Sequence, residues 1–231
     1  MNNQKFSSGD NVIKDGKLIG EFVIKDGKLI GEFEKLYQNI EDPWNQSEKH
    51  NTKDTCRQIS IMLCERLRES HGANRIIELG CGFGFITDQL RQRRFDSIGI
   101  DISETAILKA REKNPSSNFE VRNYNDFEFY SRFNPDIIIM AQLTWYILDT
   151  LDMYLEQLKA YAARAGKPIF FIHLLATYKK GVQTYGVDKF TTYDEILSYF
   201  NLRYLESGFV KTTLTEDTNS QNTYFLAQVN P

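Results

Sequence analysis

The chain has 231 residues, of which 41% are hydrophobic and 26% charged, and its formal net charge is −3 at pH 7. This composition is ordinary for a soluble globular protein with one sizeable core. The sequence has no Lys/Arg block that would favour a nucleic-acid partner, and no apolar run approaches the ~20 residues of a membrane-spanning helix. Residues 1–20 contain no apolar signal-peptide segment and the three cysteines form no pattern, so we expect a cytoplasmic protein.

The N-terminal region carries a perfect tandem repeat, because residues 12–22 and 23–33 both read VIKDGKLIGEF. The Asp-Gly pairs between short apolar runs fit either a small β-hairpin or an extended arm. We expect the second copy to dock, since it adjoins the next motif, and the first to be a redundant extension. Residues 1–50 are therefore predicted to form an arm with a lid segment, in which Trp44 either packs at the lid edge or covers a bound cofactor, and residues 51–231 to form the main domain.

The main domain alternates predicted strands with predicted helices. The strands are predicted at 75–79, 96–102, 118–124, 136–141, 169–175, 204–213 and 223–229, and the helices at 55–70, 85–94, 103–113, 126–132, 149–163 and 191–201. Such alternation predicts an α/β fold with a doubly wound, seven-stranded, mostly parallel sheet. The polar segment before the last strand suits a hairpin, which would add an antiparallel strand to the sheet.

Three glycines separate the first strand of the main domain from the helix that follows it. Gly80, Gly82 and Gly84 let the backbone turn sharply and approach a ligand closely, and the helix offers unpaired N–H groups. In a dinucleotide fingerprint the third glycine comes one residue later. Glu78 would repel a pyrophosphate but could hold an ammonium group, so the loop favours a cationic ligand with an amino-acid end over NAD.

A second acidic residue, Asp101, closes the next predicted strand. A carboxylate at that point of an α/β sheet can accept hydrogen bonds from both hydroxyls of a ribose. The alternative is that Asp101 only caps a helix or turn. Its combination with the glycine loop favours a ribose.

The two motifs together resemble those of the class I S-adenosylmethionine-dependent methyltransferases. The sequence E-L-G-C-G-F-G at 78–84 is similar to their first motif and G-I-D-I-S at 99–103 to their second, and the resemblance extends from about residue 55 to the terminal hairpin. It implies a Rossmann-like methyltransferase fold, S-adenosylmethionine as cofactor and S-adenosylhomocysteine as product. The cofactor-binding residues that we predict on this basis are Glu78, Gly80, Cys81, Gly82, Gly84, Asp101, Ile102, Asn123, Tyr124, Gln142, Leu143 and Trp44. Of these, Asn123 and Tyr124 fall where the family binds adenine, with Asp126 as an alternative.

Residues 33–44 resemble a bacterial subgroup of this family. The subgroup includes nodulation-factor N-methyltransferases and methyltransferases linked to surface polysaccharides. The resemblance implies a small-molecule acceptor, with a sugar or saccharide precursor of a surface glycan or secondary metabolite as the expected class, methylated on O or N. It also implies a role in polysaccharide biosynthesis.

The acceptor site is predicted from residues at the carboxyl edge of the sheet. His173, at the end of the fifth strand, is the candidate catalytic base, and the alternative is a hydrogen-bonded histidine in the substrate wall. Aromatic residues at the same edge suit a sugar ring or serve ordinary packing; the candidates are Trp145, Tyr146, Tyr178 and Tyr185. Residues 176–190 are predicted to form a substrate loop.

Other readings of the sequence remain open at this point. The chain could be a non-catalytic nucleoside-binding subunit, because none of its residues is an unambiguous catalytic group. An NAD-dependent oxidoreductase fits less well, given the early third glycine and Glu78. No metal site is predicted, and the oligomeric state is open, with a homodimer as one option.

Overall fold

The computed structural model describes residues 13–14, 17–18, 23–25, 28–44, 54–178, 185–211 and 220–231. These residues form a seven-stranded sheet with helices on both faces, preceded by two small hairpins. The hairpin strands are β1 Ile13–Lys14, β2 Lys17–Leu18, β3 Ile24–Lys25 and β4 Lys28–Leu29. The strands of the sheet are β5 Arg75–Leu79, β6 Asp96–Asp101, β7 Asn118–Val121, β8 Ile137–Ala141, β9 Ile169–Tyr178, β10 Arg203–Val210 and β11 Ser220–Val229. The α-helices are α1 Phe33–Asn39, α2 Thr55–His71, α3 Phe85–Gln92, α4 Glu104–Lys113, α5 Phe127–Phe133, α6 Leu151–Ala165 and α7 Tyr193–Phe200.

The spatial order of the strands is β10-β11-β9-β8-β5-β6-β7. Strands β5 to β9 run parallel, and β11 lies antiparallel to both of its neighbours, β9 and β10. The predicted fold, a mostly parallel sheet with an antiparallel C-terminal strand, is confirmed. The two core clusters lie on opposite faces, since Ile76 faces one and Ile77 the other, which is typical of a parallel sheet that is buried on both sides.

The helix boundaries follow local capping signals. Ser103 caps α4 by accepting a hydrogen bond from the Ala106 amide at 3.0 Å, and Thr192 forms a capping box at the start of α7. Helix α2 ends at Gly72, which has φ +67°, as expected for a C-terminal glycine. Its N-cap is Asp54, whose carboxylate oxygen accepts a hydrogen bond from the Arg57 amide at 3.1 Å, as is typical of aspartate at this position.

The amino-terminal edge of the sheet is held together by Asp136, which directly precedes β8. One of its carboxylate oxygens accepts hydrogen bonds from the backbone amides of Asn74 (2.9 Å) and Arg75 (3.0 Å), and the other pairs with Lys167 Nζ at 2.7 Å. Burial alone would raise the pKa of Asp136, but these donors outweigh it and lower the pKa. One charged side chain thus ties together the starts of β5, β8 and β9.

Both copies of the repeat form a two-stranded antiparallel hairpin with the same register. Ile13 pairs with Leu18 in the first copy, and Ile24 with Leu29 in the second. Val23, the first residue of the second copy, is buried with Leu36 of α1, so the second copy docks as expected. The side chains of the first copy lie outside the described part of the chain. Within that part, the helices are too short or too polar to span a bilayer.

Candidate active site

The glycine loop adopts a backbone that residues with a side chain rarely tolerate. Gly80, Gly82 and Gly84 have φ values of +63°, +52° and +78°, which place all three in the left-handed region. A Cβ atom on Gly84 would lie 2.2 Å from Cε1 of Phe119, and one on Gly80 would lie 3.0 Å from Leu143. All three glycines therefore serve the turn, and Gly80 and Gly84 also allow the close packing around it.

The loop is also fixed to the neighbouring strand. The Cys81 amide donates to the Ile100 carbonyl at 3.0 Å, and the Cys81 side chain is buried. A Cβ on Gly99 of β6 would lie 2.7 Å from Thr87 Oγ1 and 2.9 Å from Cys81 Cβ. Gly99 thus lets the loop lie directly against β6. Gly99 is the first residue of the second sequence motif, but the sequence alone assigned no role to it.

Glu78 lies at the carboxyl end of β5 and is buried. Its Oε2 accepts hydrogen bonds from the Thr87 amide (2.8 Å) and the Thr87 hydroxyl (2.5 Å), in the first turn of α3. Burial raises the pKa of Glu78 to about 7, although these hydrogen bonds oppose the shift. Such a carboxyl group is stabilised as an anion by a ligand that brings a positive charge.

Asp101 lies at the carboxyl end of β6, next to the glycine loop, and is also buried. Its Oδ2 accepts a hydrogen bond from the Gly82 amide at 3.0 Å, and its Oδ1 accepts one from the Ser103 amide at 2.9 Å. Burial raises the pKa of Asp101 more than these backbone donors lower it. The structure thus brings the two sequence motifs together through a direct contact between Asp101 and the loop.

Residues 33–44, which we call the N-terminal strap, are fastened across α4. Glu34 accepts hydrogen bonds from Ser103 Oγ (2.7 Å), Thr105 Oγ1 (2.5 Å) and the Thr105 amide (3.2 Å). At the other end of α1, Lys109 Nζ donates to the Tyr37 carbonyl at 2.7 Å. Because these bonds join residues about 70 positions apart in the chain, no local sequence signal predicted them.

The aromatic residues of the strap cover the loop region. Tyr37 is buried and its ring lies 5.7 Å from that of Phe83, between two glycines of the loop. Trp44 and Phe33 both contact Tyr146, with ring centroids 5.5 Å and 5.4 Å away. The predicted lid thus lies over the carboxyl edge of the sheet, where Trp44 is half-buried.

The segment after β8 is anchored from both sides. Gln142 has a positive φ of +58°; its Oε1 accepts from the Ala176 amide at 2.8 Å and its Nε2 donates to Asn222 Oδ1 at 3.1 Å. Its side chain is therefore directed to β9 and β11. Leu143 contacts Gly80, so it is Leu143 that faces the glycine loop.

His173 lies within the core. It is fully buried, its ring stacks on Phe225 at 4.7 Å, and its Nε2 forms a hydrogen bond of 2.6 Å with Thr144 Oγ1. Burial lowers the pKa of His173 to about 3, so the imidazole is neutral at pH 7. This placement disfavours the predicted general base. The hydrogen bond fits the alternative, a hydrogen-bonded histidine in the substrate wall, but the ring is enclosed in the core.

The other predicted acceptor residues differ in their surroundings. Trp145 is buried, and its Nε1 donates to the Ala176 carbonyl at 2.8 Å, so it packs rather than faces an open cleft. Tyr185 is half-buried against the core. The side chain of Tyr178 and residues 179–184 of the predicted substrate loop lie outside the described residues.

Two of the residues that were predicted to bind the cofactor are exposed to solvent. Ile102 is 59% exposed, and Asn123 is exposed at the end of β7. Tyr124 instead turns into the protein, where its hydroxyl bonds Thr150 Oγ1 at 2.5 Å. Asp126, the alternative to Asn123, caps α5 and pairs with an arginine. The described residues contain no cluster of His, Cys, Asp and Glu that could hold a metal ion.

Comparisons with known proteins agree with this geometry. Residues 76–169 match a family model described as a methyltransferase domain. A Geobacillus sp. (strain WCH70) protein, assigned provisionally as a methyltransferase, is 26% identical over 132 residues, which are 55% of this chain and 53% of that protein. The chain thus spans about half the length of this curated relative.

Similar folds occur among solved structures. The N-methyltransferase NodS from Bradyrhizobium japonicum WM9, in complex with S-adenosylhomocysteine, superposes with a TM-score of 0.56 at 14% identity over 85% of this chain and 97% of NodS. The bifunctional kinase-methyltransferase WbdD superposes with a TM-score of 0.53 at 18% identity over 79% of this chain and 42% of WbdD. At such identities the likeness is one of fold.

The strand order, the left-handed glycine loop and the matched domain define one class of protein. Residues 76–169 match a methyltransferase domain, and the strand order agrees with the fold of methyltransferases of known structure. This match agrees with the sequence-based recognition of a methyltransferase.

Proposed function

We propose that the protein transfers a methyl group from S-adenosylmethionine to an O or N atom of a small polar molecule, with a saccharide as the acceptor class. The main support for the methyl transfer is the arrangement of residues at the carboxyl ends of β5 and β6. There, a left-handed glycine loop lies between two buried carboxylates, Glu78 and Asp101, whose pKa values are raised. None of the ion pairs among the described residues includes either carboxylate. A ligand that brings an ammonium group to Glu78 and hydroxyl donors to Asp101 would stabilise both carboxylates as anions.

The residues fit the two ends of this cofactor. Glu78 would hold the ammonium group of the methionine end, and the loop glycines leave room for the ligand to approach the backbone. Asp101 would accept hydrogen bonds from the ribose hydroxyls. Exposed Ile102 and Asn123 would contact the adenine ring, and Leu143 would lie near the reacting methyl group.

Positioning is the main chemical task of the protein in this reaction. The cofactor supplies a methyl group on a sulfonium centre, whose leaving group is neutral and good, so the chain needs mainly to align the acceptor and exclude water. Because His173 is buried and has a low pKa, we propose that it positions Thr144 and the segment after β8 rather than taking a proton. This arrangement favours an amine nitrogen, which only needs to be neutral, over a hydroxyl, which benefits from a base.

The saccharide acceptor is supported by two features. Residues 33–44 resemble the carbohydrate-related subgroup, and Trp44 and Tyr146 present aromatic rings beside the loop, as suits the faces of sugar rings. The N-methyltransferase activity in the name of NodS agrees with an amine acceptor. A cytoplasmic location, a role in polysaccharide biosynthesis and acceptor contacts from Tyr178 and Tyr185 belong to the same proposal, whereas the buried Trp145 is no longer part of it.

The direct test is to incubate the full chain with S-adenosylmethionine and matched acceptors, and to measure the release of S-adenosylhomocysteine. We expect turnover with amino sugars and little with the same sugars that carry a hydroxyl or acetamido group at that carbon. Turnover on the hydroxyl sugar alone would overturn the amine assignment. Binding of S-adenosylhomocysteine without turnover on any acceptor would favour the non-catalytic nucleoside-binding subunit, and binding of NADH instead would favour an oxidoreductase.

A further inference from the structure

A cavity of about 240 Å³ lies between the strap and the end of β6. Its walls are Gly31, Glu32, Phe33, Glu34 and Lys35 on one side and Ile102 on the other. The first three of these residues are the last three of the second repeat copy. The first copy ends with the same three residues, at positions 20–22, so the sequence alone does not distinguish the two copies.

The position of the cavity relates it to the nucleoside end of the cofactor. Ile102 directly follows Asp101, the carboxylate proposed for the ribose. The opposite wall is held in place by Glu34, which bonds Ser103 and Thr105. Whole ligand pockets usually measure ~300–1,000 Å³, so a cavity of this size suits one part of a ligand. An exposed isoleucine facing a wall that contains a phenylalanine suits a flat, uncharged heteroaromatic ring.

The second hairpin holds that wall. The amides of Ile30 and Gly31 donate to the Val23 carbonyl at 2.7 Å and 3.3 Å, so the hairpin is closed at its base. Val23 is buried against Leu36 of α1. Gly31 has φ +69°, which turns the chain from the hairpin into α1 without strain. The hairpin and the strap therefore form one docked unit that fixes the position of residues 31–33.

We propose that the two identical repeat copies are functionally unequal: the end of the second copy forms one wall of the binding site for the adenine ring, and the first copy takes no part in it. This inference rests on the proposed function, because S-adenosylmethionine is the ligand that brings the ring. The copies differ only in their place in the chain. Only the second copy runs directly into the strap that Glu34 and Lys109 fasten to α4.

The repeat supplies its own matched control. We expect Phe33→Ala to weaken the binding of S-adenosylhomocysteine and of adenosine by about tenfold each, measured by isothermal titration calorimetry. The identical change in the identical local sequence, Phe22→Ala, should leave both affinities within about twofold. Equal losses for the two variants, or no loss for either, would overturn the proposal.

A second pair of variants tests whether a loss of affinity comes from the cavity wall itself or from local unfolding of α1. Ile102→Ser changes the opposite wall at an exposed position, and Leu108→Ser changes a comparably exposed residue of α4 outside the cavity. We expect a loss of adenosine affinity of about tenfold for Ile102→Ser and none for Leu108→Ser. An unchanged affinity for Ile102→Ser would contradict the adenine assignment.

Deletion of one copy tests the role of the first. Removal of residues 12–22 or of residues 23–33 yields the same polypeptide, because the copies are identical. We expect this single-copy protein to bind S-adenosylhomocysteine as the wild type does, and removal of both copies to weaken binding at least tenfold. A tenfold loss in the single-copy protein would overturn the inequality of the copies. If the wild type itself does not bind S-adenosylhomocysteine, the proposed function fails rather than this inference.

Discussion

The two edges of the parallel sheet differ in how their carboxylates are stabilised, since Asp136 at one edge is half-buried and Glu78 and Asp101 at the other are buried. At the amino-terminal edge, Asp136 is paired with Lys167 and two backbone amides, and its pKa is lowered. At the carboxyl edge, burial raises the pKa values of Glu78 and Asp101, and their hydrogen-bond donors are neutral. The first arrangement stabilises the fold by itself, whereas under the proposed function the second becomes favourable when the ligand brings an ammonium group to Glu78 and hydroxyl donors to Asp101.

This difference indicates which edge of the sheet stabilises the fold and which edge binds the ligand. Buried carboxylates without a cationic partner cost folding free energy, and such sites occur most often where function requires them. Changes at the amino-terminal edge should therefore alter stability alone. Changes at the carboxyl edge should lower ligand affinity, whether or not they also change the free energy of unfolding.

The largest expected effect is that of Gly84→Ala at the carboxyl edge. The new Cβ would lie 2.2 Å from Cε1 of Phe119, at a φ of +78°. We expect a loss of about 4 kcal/mol in the free energy of unfolding, from left-handed strain and overpacking together, with binding of S-adenosylhomocysteine lost. Urea unfolding measures the first quantity and calorimetry the second.

Gly166→Ala is the control for that substitution. Gly166 also has a left-handed φ, +64°, but a Cβ there would meet nothing within 4 Å. We expect a cost of about 1 kcal/mol, which is the strain alone, with unchanged ligand affinity. Similar costs at the two glycines would show that Phe119 gives way and that the close packing of the loop is not essential.

The next effect concerns Glu78 and the pH dependence of stability. The pKa of Glu78 is about 7 in the folded protein and about 4.3 in an unfolded chain. Between these values the folded state binds more protons, so Glu78 makes the stability fall as the pH rises through this window. Glu78→Gln removes the titration. We expect the stability of this variant relative to wild type to increase by about 3 kcal/mol from pH 4.5 to pH 7.5.

The same variant should bind the cofactor less well. A neutral amide cannot pair with an ammonium group, so we expect affinity for S-adenosylhomocysteine at pH 7.5 to fall at least tenfold, or about 1.4 kcal/mol. Urea unfolding at several pH values and calorimetry measure the two quantities. A stability difference that does not change with pH would show that Glu78 is ionised in the folded protein without a ligand.

A pair of aspartate variants tests the comparison between edges directly. We expect Asp101→Asn to weaken S-adenosylhomocysteine binding by about 100-fold, or about 2.7 kcal/mol, with little change in stability. Asp136→Asn should leave binding within about twofold and lower the free energy of unfolding by about 2 kcal/mol. Loss of binding in Asp136→Asn, with the protein still folded, would contradict the division of roles.

The pH dependence of Asp136→Asn provides a further check with its own sign. The pKa of Asp136 is lowered in the folded state, so its stabilisation is present above the unfolded value of about 3.9 and is lost as the pH falls through the folded value. The stability deficit of Asp136→Asn should therefore be full at pH 6 and shrink in strong acid. A deficit that persists in strong acid would assign the effect to shape rather than charge.

Much of the fold could be predicted because its signals are local. The glycine loop, the Ser103 and Thr192 caps and the alternation of strands and helices depend on residues close together in the chain. The two motifs were predicted to bind one ligand, and the hydrogen bond from the Gly82 amide to Asp101 shows that they lie side by side. These features required no knowledge of distant packing.

The rest depends on contacts between distant parts of the chain. Gln142 is directed to β9 and β11 by partners that its own neighbours do not reveal. His173 was predicted at an open edge, but the rings of Phe200 and Phe225 enclose it. Strand β9 continues to Tyr178 beside β11, whereas it was predicted to end at residue 175, so His173 lies in the middle of the strand rather than near its carboxyl end.

The smallest effect that we expect is at the strap, where the comparison extends to a fourth carboxylate, Glu34. Burial raises the pKa of Glu34, but hydrogen bonds from Thr105 and Ser103 outweigh it and lower the pKa. We expect Glu34→Gln to weaken docking of the strap by about 1 kcal/mol and S-adenosylhomocysteine binding by about fivefold. Hydrogen exchange of the amides of residues 33–44 should speed up by a similar factor.

Glu41→Gln is the control, since Glu41 is an exposed residue of the same strap and should change neither quantity. Because the pKa of Glu34 is lowered, its contribution is present at neutral pH and is lost as the pH falls through the folded value. The difference between Glu34→Gln and wild type should therefore disappear in acid. Faster exchange with unchanged affinity would show that the strap covers the loop without contributing to the ligand site, and the binding edge would then end at Asp101.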